Sequence, residues 1–166
     1  MDEITQALFA ASRQGNVPVL MEIFGVRENL DVQDEKGFTP LIIAAYNNRP
    51  EAVAALLEAG ANPDATDNGG NTALMGAAFK GYTEVVYVLI SKGANLNAQH
   101  GNGGTALMFA AMFGRNEVVD LLLESGADKD IRDIRGMKAF DHAMQQGNTE
   151  GAAKLKGDEM MKNYES

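Results

Sequence analysis

Two histidines are the residues of this chain best suited to acid–base chemistry or metal binding. His100 lies in a connector between predicted helices, and His142 follows Asp141 directly. A metal site or a general base would need further ligands or a nucleophile that converge on the same place, and no such pattern surrounds either residue. The chain has no cysteine, which excludes disulfides and thiolate chemistry. We interpret both residues as turn or surface histidines, and we predict no catalytic residue, no metal and no cofactor.

The run HGNGGT at 100–105 could suggest a phosphate-binding loop. It lacks the preceding strand and the following Lys-Ser/Thr that such a loop needs, so an exposed turn is the better interpretation. Acidic pairs such as Asp64 and Asp67 lack the twelve-residue ligand spacing of a calcium loop. One aspartate recurs in each connector except one, where His100 takes its place, and we expect it to accept hydrogen bonds from the turn backbone. These aspartates are Asp34, Asp67 and Asp133.

The elements that position these residues repeat along the chain with a period of about 33 residues. The stretch 70–99, GNTALMGAAFKGYTEVVYVLISKGANLNAQ, matches the chain one period further on and one period earlier. A fixed period of this size is typical of a stacked repeat, in which each unit packs only against its neighbours. Each unit predicts a first helix with an alanine pair, a glycine turn, a second helix with an apolar face and a closing glycine.

Specific residues predict where these helices begin. Thr39, Thr72 and Thr105 are expected to cap the first helices. Thr83 and Asn116 are expected to cap the second helices. The first segment is predicted as a helix pair whose buried face contains Ile4, Leu8 and Ala11, while Thr5 and Ser12 face elsewhere. Lys138 replaces the capping threonine of the last unit. Met75 and Met108 are predicted to pack in the core, with a partly exposed contact surface as the alternative.

The expected organisation is an all-α repeat solenoid with three full units between an N-terminal and a C-terminal capping unit. The predicted boundaries are 2–33 for the N-terminal helix pair, 35–66, 68–99 and 101–132 for the full units, 134–156 for the degenerate last unit and 157–166 for a polar tail that frays.

These motifs resemble the ankyrin repeat family. The resemblance rests on Gly37-Phe38-Thr39-Pro40-Leu41, the alanine pairs, the Glu-Val-Val runs and the endings EAGANPD, SKGANLN and ESGADKD, and it covers about residues 2–156. The position of the signature histidine holds Ile42, Met75, Met108 and Asp141 instead. The Thr-Ala-Leu-Met form is similar to bacterial members. The resemblance implies a curved stack of helix pairs with finger-like turns that binds other proteins.

Two sets of residues are free of the packing duties of the repeat and are predicted to bind a partner. Tyr46, Phe79 and Met112 recur at the period of the repeat and should form a stripe on the concave helix face, where aromatic anchors would favour a protein interface. The predicted fingertip residues are Glu35, Lys36, Phe38, Asn68, Asn71, Asn102, Ile134, Arg135 and Met137. The predicted residues of the concave face are Tyr46, Asn47, Phe79, Lys80, Met112 and Phe113.

Composition limits the partner. The net charge of −9 argues against a nucleic acid or an anionic membrane and mildly favours a basic patch on a partner protein. No run approaches the roughly 18 apolar residues of a membrane span. The N-terminal MDEITQALFAAS is acidic and amphipathic rather than a signal peptide. We expect a monomer that is cytoplasmic, or periplasmic if a leader was removed.

The sequence therefore predicts a non-enzymatic module that binds a folded partner protein through its fingertips and concave face. A sharper version is that it inhibits or shields a partner enzyme. Two alternatives stay open. The chain could be a structural spacer or adaptor in a larger assembly, or a ligand-binding or catalytic protein that uses a histidine between units.

Overall fold

The computed structural model describes residues 1–156, and the predicted tail at 157–166 lies outside the described residues. Ten helices form five consecutive pairs in this part of the chain. Their bounds are α1 (Glu3–Gln14), α2 (Val17–Phe24), α3 (Pro40–Tyr46), α4 (Pro50–Glu58), α5 (Ala73–Lys80), α6 (Thr83–Ser91), α7 (Ala106–Met112), α8 (Asn116–Glu124), α9 (Ala139–Gln145) and α10 (Thr149–Leu155).

The helices stack in two parallel rows. Odd-numbered helices contact one another in order from α1 to α9, and even-numbered helices do the same from α2 to α10. We call them the inner and the outer helices. Each inner helix also packs against the outer helix that follows it. The described residues contain one isolated β-bridge, between Thr66 and Thr72, and no strand. This architecture confirms the all-α repeat solenoid.

Threonine starts three of the inner helices, as predicted. The hydroxyls of Thr39, Thr72 and Thr105 each accept the backbone N–H three residues further on, at 3.2–3.3 Å. This bond satisfies one of the amide groups that a helix leaves unpaired at its start. Lys138 makes no such side-chain bond, and the carboxylate of Asp141 instead accepts the N–H of Lys138 at 2.9 Å. The start of the last inner helix is thus stabilised by a side chain of the helix itself, that of Asp141.

The prediction for the start of two outer helices was wrong by one residue. Thr83 and Asn116 are the first residues of α6 and α8, and the capping positions belong to Tyr82 and Arg115, whose side chains make no capping bond. The reason is the tight turn before them. Gly81 has a φ of 76°, so the chain reverses at this residue and the next one already takes the capping position.

The core is one continuous layer between the two rows. The alanine pairs of α3, α5 and α7 are completely buried, which lets neighbouring inner helices approach closely. Fully buried leucines such as Leu89 and Leu122 fill the space beneath the outer helices. Met75 and Met108 are each 2% exposed, so the core interpretation of these two methionines is correct.

The first helix buries a face that differs from the predicted one. Leu8 and Ala11 are buried, but Ile4 is 44% exposed, while Thr5 and Ser12 are buried. The polar side chains tolerate burial because each has a partner. The Ser12 hydroxyl donates to the carbonyl of Leu8 at 2.7 Å, and the Thr5 hydroxyl accepts from the Arg27 guanidinium. Because α1 packs against both α2 and α3, its buried face is wider than its apolar positions and includes these polar residues.

None of the helices described here combines the length and the apolar character that crossing a membrane requires.

Candidate functional site

The connectors between units end in tight turns that an aspartate holds together. The Oδ1 atom of Asp34 accepts the N–H groups two and four residues further on, both at 2.9 Å. Asp67 and Asp133 repeat this pattern at 2.9–3.0 Å. These bonds confirm the predicted role of the aspartates in the turns. We call the four turns at 34–38, 67–71, 100–104 and 133–137 the tips.

Neighbouring tips are hydrogen-bonded to one another. The N–H of Asn68 donates to the carbonyl of Lys36 at 3.1 Å, and Ile134 donates to Asn102 at 2.9 Å. Gly101 donates to the carbonyl of Gly69 in the same way, at 3.1 Å. The tips thus form a connected row rather than separate fingers, and a partner would meet a surface that is ordered before binding.

The predicted tip residues lie at this row with different exposure. The most exposed is Ile134, at 76%, a large apolar side chain on the surface. Phe38, Asn71 and Met137 are half-buried. The exposed residues are Glu35, Lys36, Asn68, Asn102, Ile134 and Arg135.

His100 occupies the position of the aspartate in the third tip and replaces one of the two hydrogen bonds that an aspartate accepts there. Its Nδ1 atom accepts the N–H of Gly104 at 2.8 Å, and its ring meets Phe109 edge to face with centroids 5.2 Å apart. Because Nδ1 is the acceptor, the neutral ring carries its proton on Nε2. The imidazole accepts a hydrogen bond from one backbone amide of its turn, whereas each aspartate accepts hydrogen bonds from two. His100 is a turn histidine, as predicted.

Replacing His100 by aspartate is expected to raise the free energy of unfolding by about 0.5 kcal/mol, because the carboxylate gains a second backbone bond and loses only the ring contact. Urea unfolding followed by circular dichroism measures the change. His100→Ala, which keeps neither interaction, should lower the free energy by about 1 kcal/mol. A loss of stability on His100→Asp would contradict this account of the tip.

His142 is buried, and its interpretation as a turn or surface residue is wrong. It lies on α9 with 3% of its side chain exposed, and its Nε2–H donates to the Oδ2 atom of Asp133 at 2.7 Å. Burial works to raise the pKa of Asp133, but hydrogen bonds from the Met137 amide, from His142 and from the Arg135 amide together hold that pKa below its ordinary value. The histidine therefore fastens the fourth tip to the last inner helix.

A groove of about 340 Å³ lies beside this pair. His100, Asp133 and His142 all line it, so the fold brings both histidines to one place. The lining contains no serine, threonine, tyrosine or cysteine hydroxyl or thiol that a His–Asp pair could activate. Among the described residues no group of three or more His, Cys, Asp or Glu side chains could hold a metal ion. The arrangement can fix a tip in place, but it lacks a nucleophile.

Aromatic rings follow the exposed face of the inner helices, which we call the inner face. Tyr46 and Phe79 stack with centroids 6.4 Å apart, and Phe79 meets Phe113 edge to face at 4.6 Å. The Nζ atom of Lys80 lies 5.0 Å from the centre of the Tyr46 ring, within the range of a cation–π contact. Tyr46 and Phe113 are 42% and 45% exposed. The predicted stripe is present at Tyr46 and Phe79, but the next ring in it is Phe113 and not the predicted Met112.

The other predicted residues of the inner face are placed differently. Met112 is half-buried and lines the groove beside the two histidines. Asn47 is exposed, and its side-chain amide donates to the carbonyl of Ile43 at 2.7 Å, which closes the end of α3.

A gap in the inner face was missed by the sequence interpretation. Gly76 stands where the neighbouring units carry Ile43 and Phe109, one period away on either side. A Cβ atom at Gly76 would lie 2.9 Å from the Tyr46 ring. The missing side chain leaves a groove of about 270 Å³. Its lining is mostly apolar and consists of Phe38, Ile42, Tyr46, Asp67, Asn71, Thr72, Met75, Gly76, Phe79 and Phe109. Aligning the repeats position by position would have shown this glycine.

The comparison with protein families agrees with the helix pairs and their period. The family model described as "Ankyrin repeats (3 copies)" matches residues 7–100 and 94–163. The chain belongs to the ankyrin repeat family. Among curated proteins, no sequence matches it significantly. Ankyrin repeats are generally protein–protein interaction modules and are typically not enzymes. The tips and the inner helices of this ankyrin repeat chain are therefore the first candidates for a contact with another protein.

Proposed function

We propose that this chain is a non-enzymatic binding protein that holds one folded partner against its tips and inner face. The observation that carries the proposal is the run of contacting rings formed by Tyr46, Phe79 and Phe113, of which Tyr46 and Phe113 are exposed and Phe79 is half-buried. Rigid aromatic side chains supply large contact area at low entropic cost, and they are enriched among the residues that dominate binding energy.

The tips support the same proposal from the adjoining edge. Backbone hydrogen bonds join them in a row, so little ordering is needed when a partner binds, and a preformed surface loses less free energy on association. Ile134 places an apolar side chain at the end of this row. We propose the predicted tip and inner-face residues as one contact surface that follows the stack.

We further propose that the partner is an enzyme and that binding inhibits or shields it. Residues 1–156 form five helix pairs, and these units would act on a partner by covering part of its surface. A row of ordered tips beside an apolar face has the shape to cover the mouth of a cleft.

The test captures partners from a lysate of the source cells and then measures binary binding with the purified partner. Tyr46→Ser combined with Phe79→Ser should weaken binding at least tenfold, because both rings lose their contact area. Tyr87→Ser is the matched control, since Tyr87 is 61% exposed on an outer helix. If the partner is an enzyme, its activity with and without this chain separates inhibition from recruitment. Equal affinity of all three forms would contradict the inner face as the site.

A further inference from the structure

The inner helices carry very little negative charge, although the whole chain has a net charge of −9. Helices α3, α5 and α7 contain no aspartate or glutamate. In the inner row of the described residues, acidic side chains occur only on the two end helices, as Glu3 on α1 and Asp141 on α9. The acidic residues are thus displaced from the central inner face to other surfaces of the stack.

Cations line the edge at which the inner helices end. Arg13 and Lys80 lie in the last turns of α1 and α5, and Arg49 and Arg115 follow α3 and α7. The Nε–H of Arg49 donates to the carbonyl of Arg13 at 3.0 Å, and that of Arg115 donates to the carbonyl of Phe79 at 3.1 Å. These bonds fix both guanidinium groups along one edge. We call Arg13, Arg49, Lys80 and Arg115, with the rings of Tyr46, Phe79 and Phe113, the basic strip.

Within residues 1–156, the four cations of the basic strip form no ion pair with a carboxylate. The ion pairs found in this part of the chain use other cations. Attraction to the negative ends of the inner helices would by itself place cations here. That attraction does not explain Lys80, whose ammonium group lies over the rings of Tyr46 and Phe79, at 5.0 Å and 5.8 Å from their centres. The strip therefore presents positive charge directly beside exposed aromatic surface.

The groove above Gly76 adjoins this strip through Tyr46 and Phe79, which line it. Its volume of about 270 Å³ lies below the usual range of about 300–1,000 Å³ for small-molecule sites, which favours a single side chain as occupant. The one carboxylate in the lining, Asp67, is already engaged by the amides of Gly69 and Asn71.

We propose that the basic strip docks an acidic segment of a partner protein, one apolar side chain of which enters the groove above Gly76. This inference rests on the proposed function and deepens it by naming the chemistry of the partner. It also reverses the expectation of a basic partner drawn from net charge, because the charge that a partner meets is that of the contacted face. Complementary charge at the strip speeds encounter and selects the partner, and the groove fixes its register.

The strip also has features of a surface for single-stranded nucleic acid, which combines cations with stacking rings. A nucleic acid backbone carries a high density of negative charge along its whole length and would meet the acidic outer helices as well. Glu51, Glu84 and Glu117 stand at the second position of α4, α6 and α8, next to the edge that carries the arginines. A short acidic peptide segment can follow the strip and avoid them.

The experiment measures binding of labelled peptides to the full chain by fluorescence anisotropy. The first probe flanks a Leu-Phe pair with glutamates, the second replaces the glutamates by lysines, and the third replaces Leu-Phe by Gly-Ser. An oligothymidine is the fourth probe. We expect the first peptide to bind at least tenfold more tightly than the other three, with an affinity that falls as salt screens the charges.

Variants locate the binding. Lys80→Glu should weaken binding of the first peptide about tenfold, and Lys80→Gln by less, since reversal of a charge adds repulsion to the lost attraction. Lys156→Glu makes the same charge change at an exposed position after the last outer helix and should alter the affinity less than twofold. Gly76→Ala should remove the preference for Leu-Phe over Gly-Ser, because its Cβ and the displaced Tyr46 ring fill the groove. Circular dichroism verifies that each variant is folded.

Tighter binding of the lysine peptide or the oligothymidine overturns the proposal, and so does equal weakening by Lys156→Glu and Lys80→Glu. Failure of the first peptide to bind more tightly than its counterparts also overturns it. The proposed function is judged separately, by the loss of the captured partner on Tyr46→Ser with Phe79→Ser. If that loss occurs without a preference for the acidic peptide, the binding function stands and the acidic chemistry of the partner falls.

Discussion

Leu89→Ala is expected to lower the free energy of unfolding by about 3 kcal/mol, the largest effect of any single change considered. The Leu89 side chain is completely buried on α6, in the middle of the stack, and its truncation removes apolar contact and leaves a cavity. Units on both sides close around this position, so the structure can collapse only partly into the space. Urea unfolding followed by circular dichroism measures the loss.

Tyr87 on the same helix provides the matched control. It is 61% exposed, so Tyr87→Ala should change the free energy of unfolding by less than about 0.5 kcal/mol. A similar loss for both variants would mean that the outer row is not packed as described. Two separate unfolding transitions in the Leu89→Ala protein would show that the units at the two ends no longer unfold together.

Asp133→Ala is expected to lower the free energy of unfolding by about 2 kcal/mol. The change removes two backbone bonds of the fourth tip and leaves the buried Nε2–H of His142 without its acceptor. Asp34→Ala is the matched control, because Asp34 holds its tip through the same two backbone bonds but has no histidine partner. Urea unfolding of both variants should show a loss about 1 kcal/mol greater for Asp133→Ala, and equal losses would contradict a stabilising role for the histidine pair.

Acid should weaken the same contact. Because the pKa of Asp133 is lower in the folded chain than its ordinary value of 3.8, its contribution to stability is complete above that ordinary value. It is lost as the pH falls through the lower folded pKa, where the carboxyl becomes protonated. Urea midpoints of the wild type should fall below about pH 4, and those of Asp133→Ala should fall less steeply. Parallel curves for the two proteins would contradict this linkage.

The architecture could be predicted because it depends on local signals that recur. Thr72 precedes a helix, Gly81 follows it, and each repeats at one period, so errors at single positions hardly affect the overall prediction. The start of α6 was misplaced because a short turn shifted the capping position by one residue, from Thr83 to Tyr82. The residue types alone do not determine how many residues lie between the turn and the first residue of the helix.

The contacts between units could not be predicted in the same way. The burial of His142 depends on its hydrogen bond with Asp133, which lies nine residues earlier in the sequence, at the beginning of the fourth tip. Arg49 joins the carbonyl of Arg13, a position that the alignment of the repeats does not pair with it. Net charge says little about one surface for a related reason. A sum over the chain hides the segregation of the acidic residues from the central inner helices, which becomes visible only when the two rows are separated.

The side chains that join one unit to the next along the turn edge are unevenly distributed. Arg49 ties α3 to the end of α1, Arg115 ties α7 to the end of α5, and Asn148 donates to the carbonyl of Ala111 at 2.9 Å. Tyr82 occupies the corresponding position at the joint between the α3–α4 pair and the α5–α6 pair. Within the described chain its side chain makes no such bond. The turn edge of this joint is therefore closed by the packing of Tyr82 against the core rather than by a directional hydrogen bond. Gly76 and Tyr46 face each other across the same joint, so a side chain seated in the groove between them would press on two units at once.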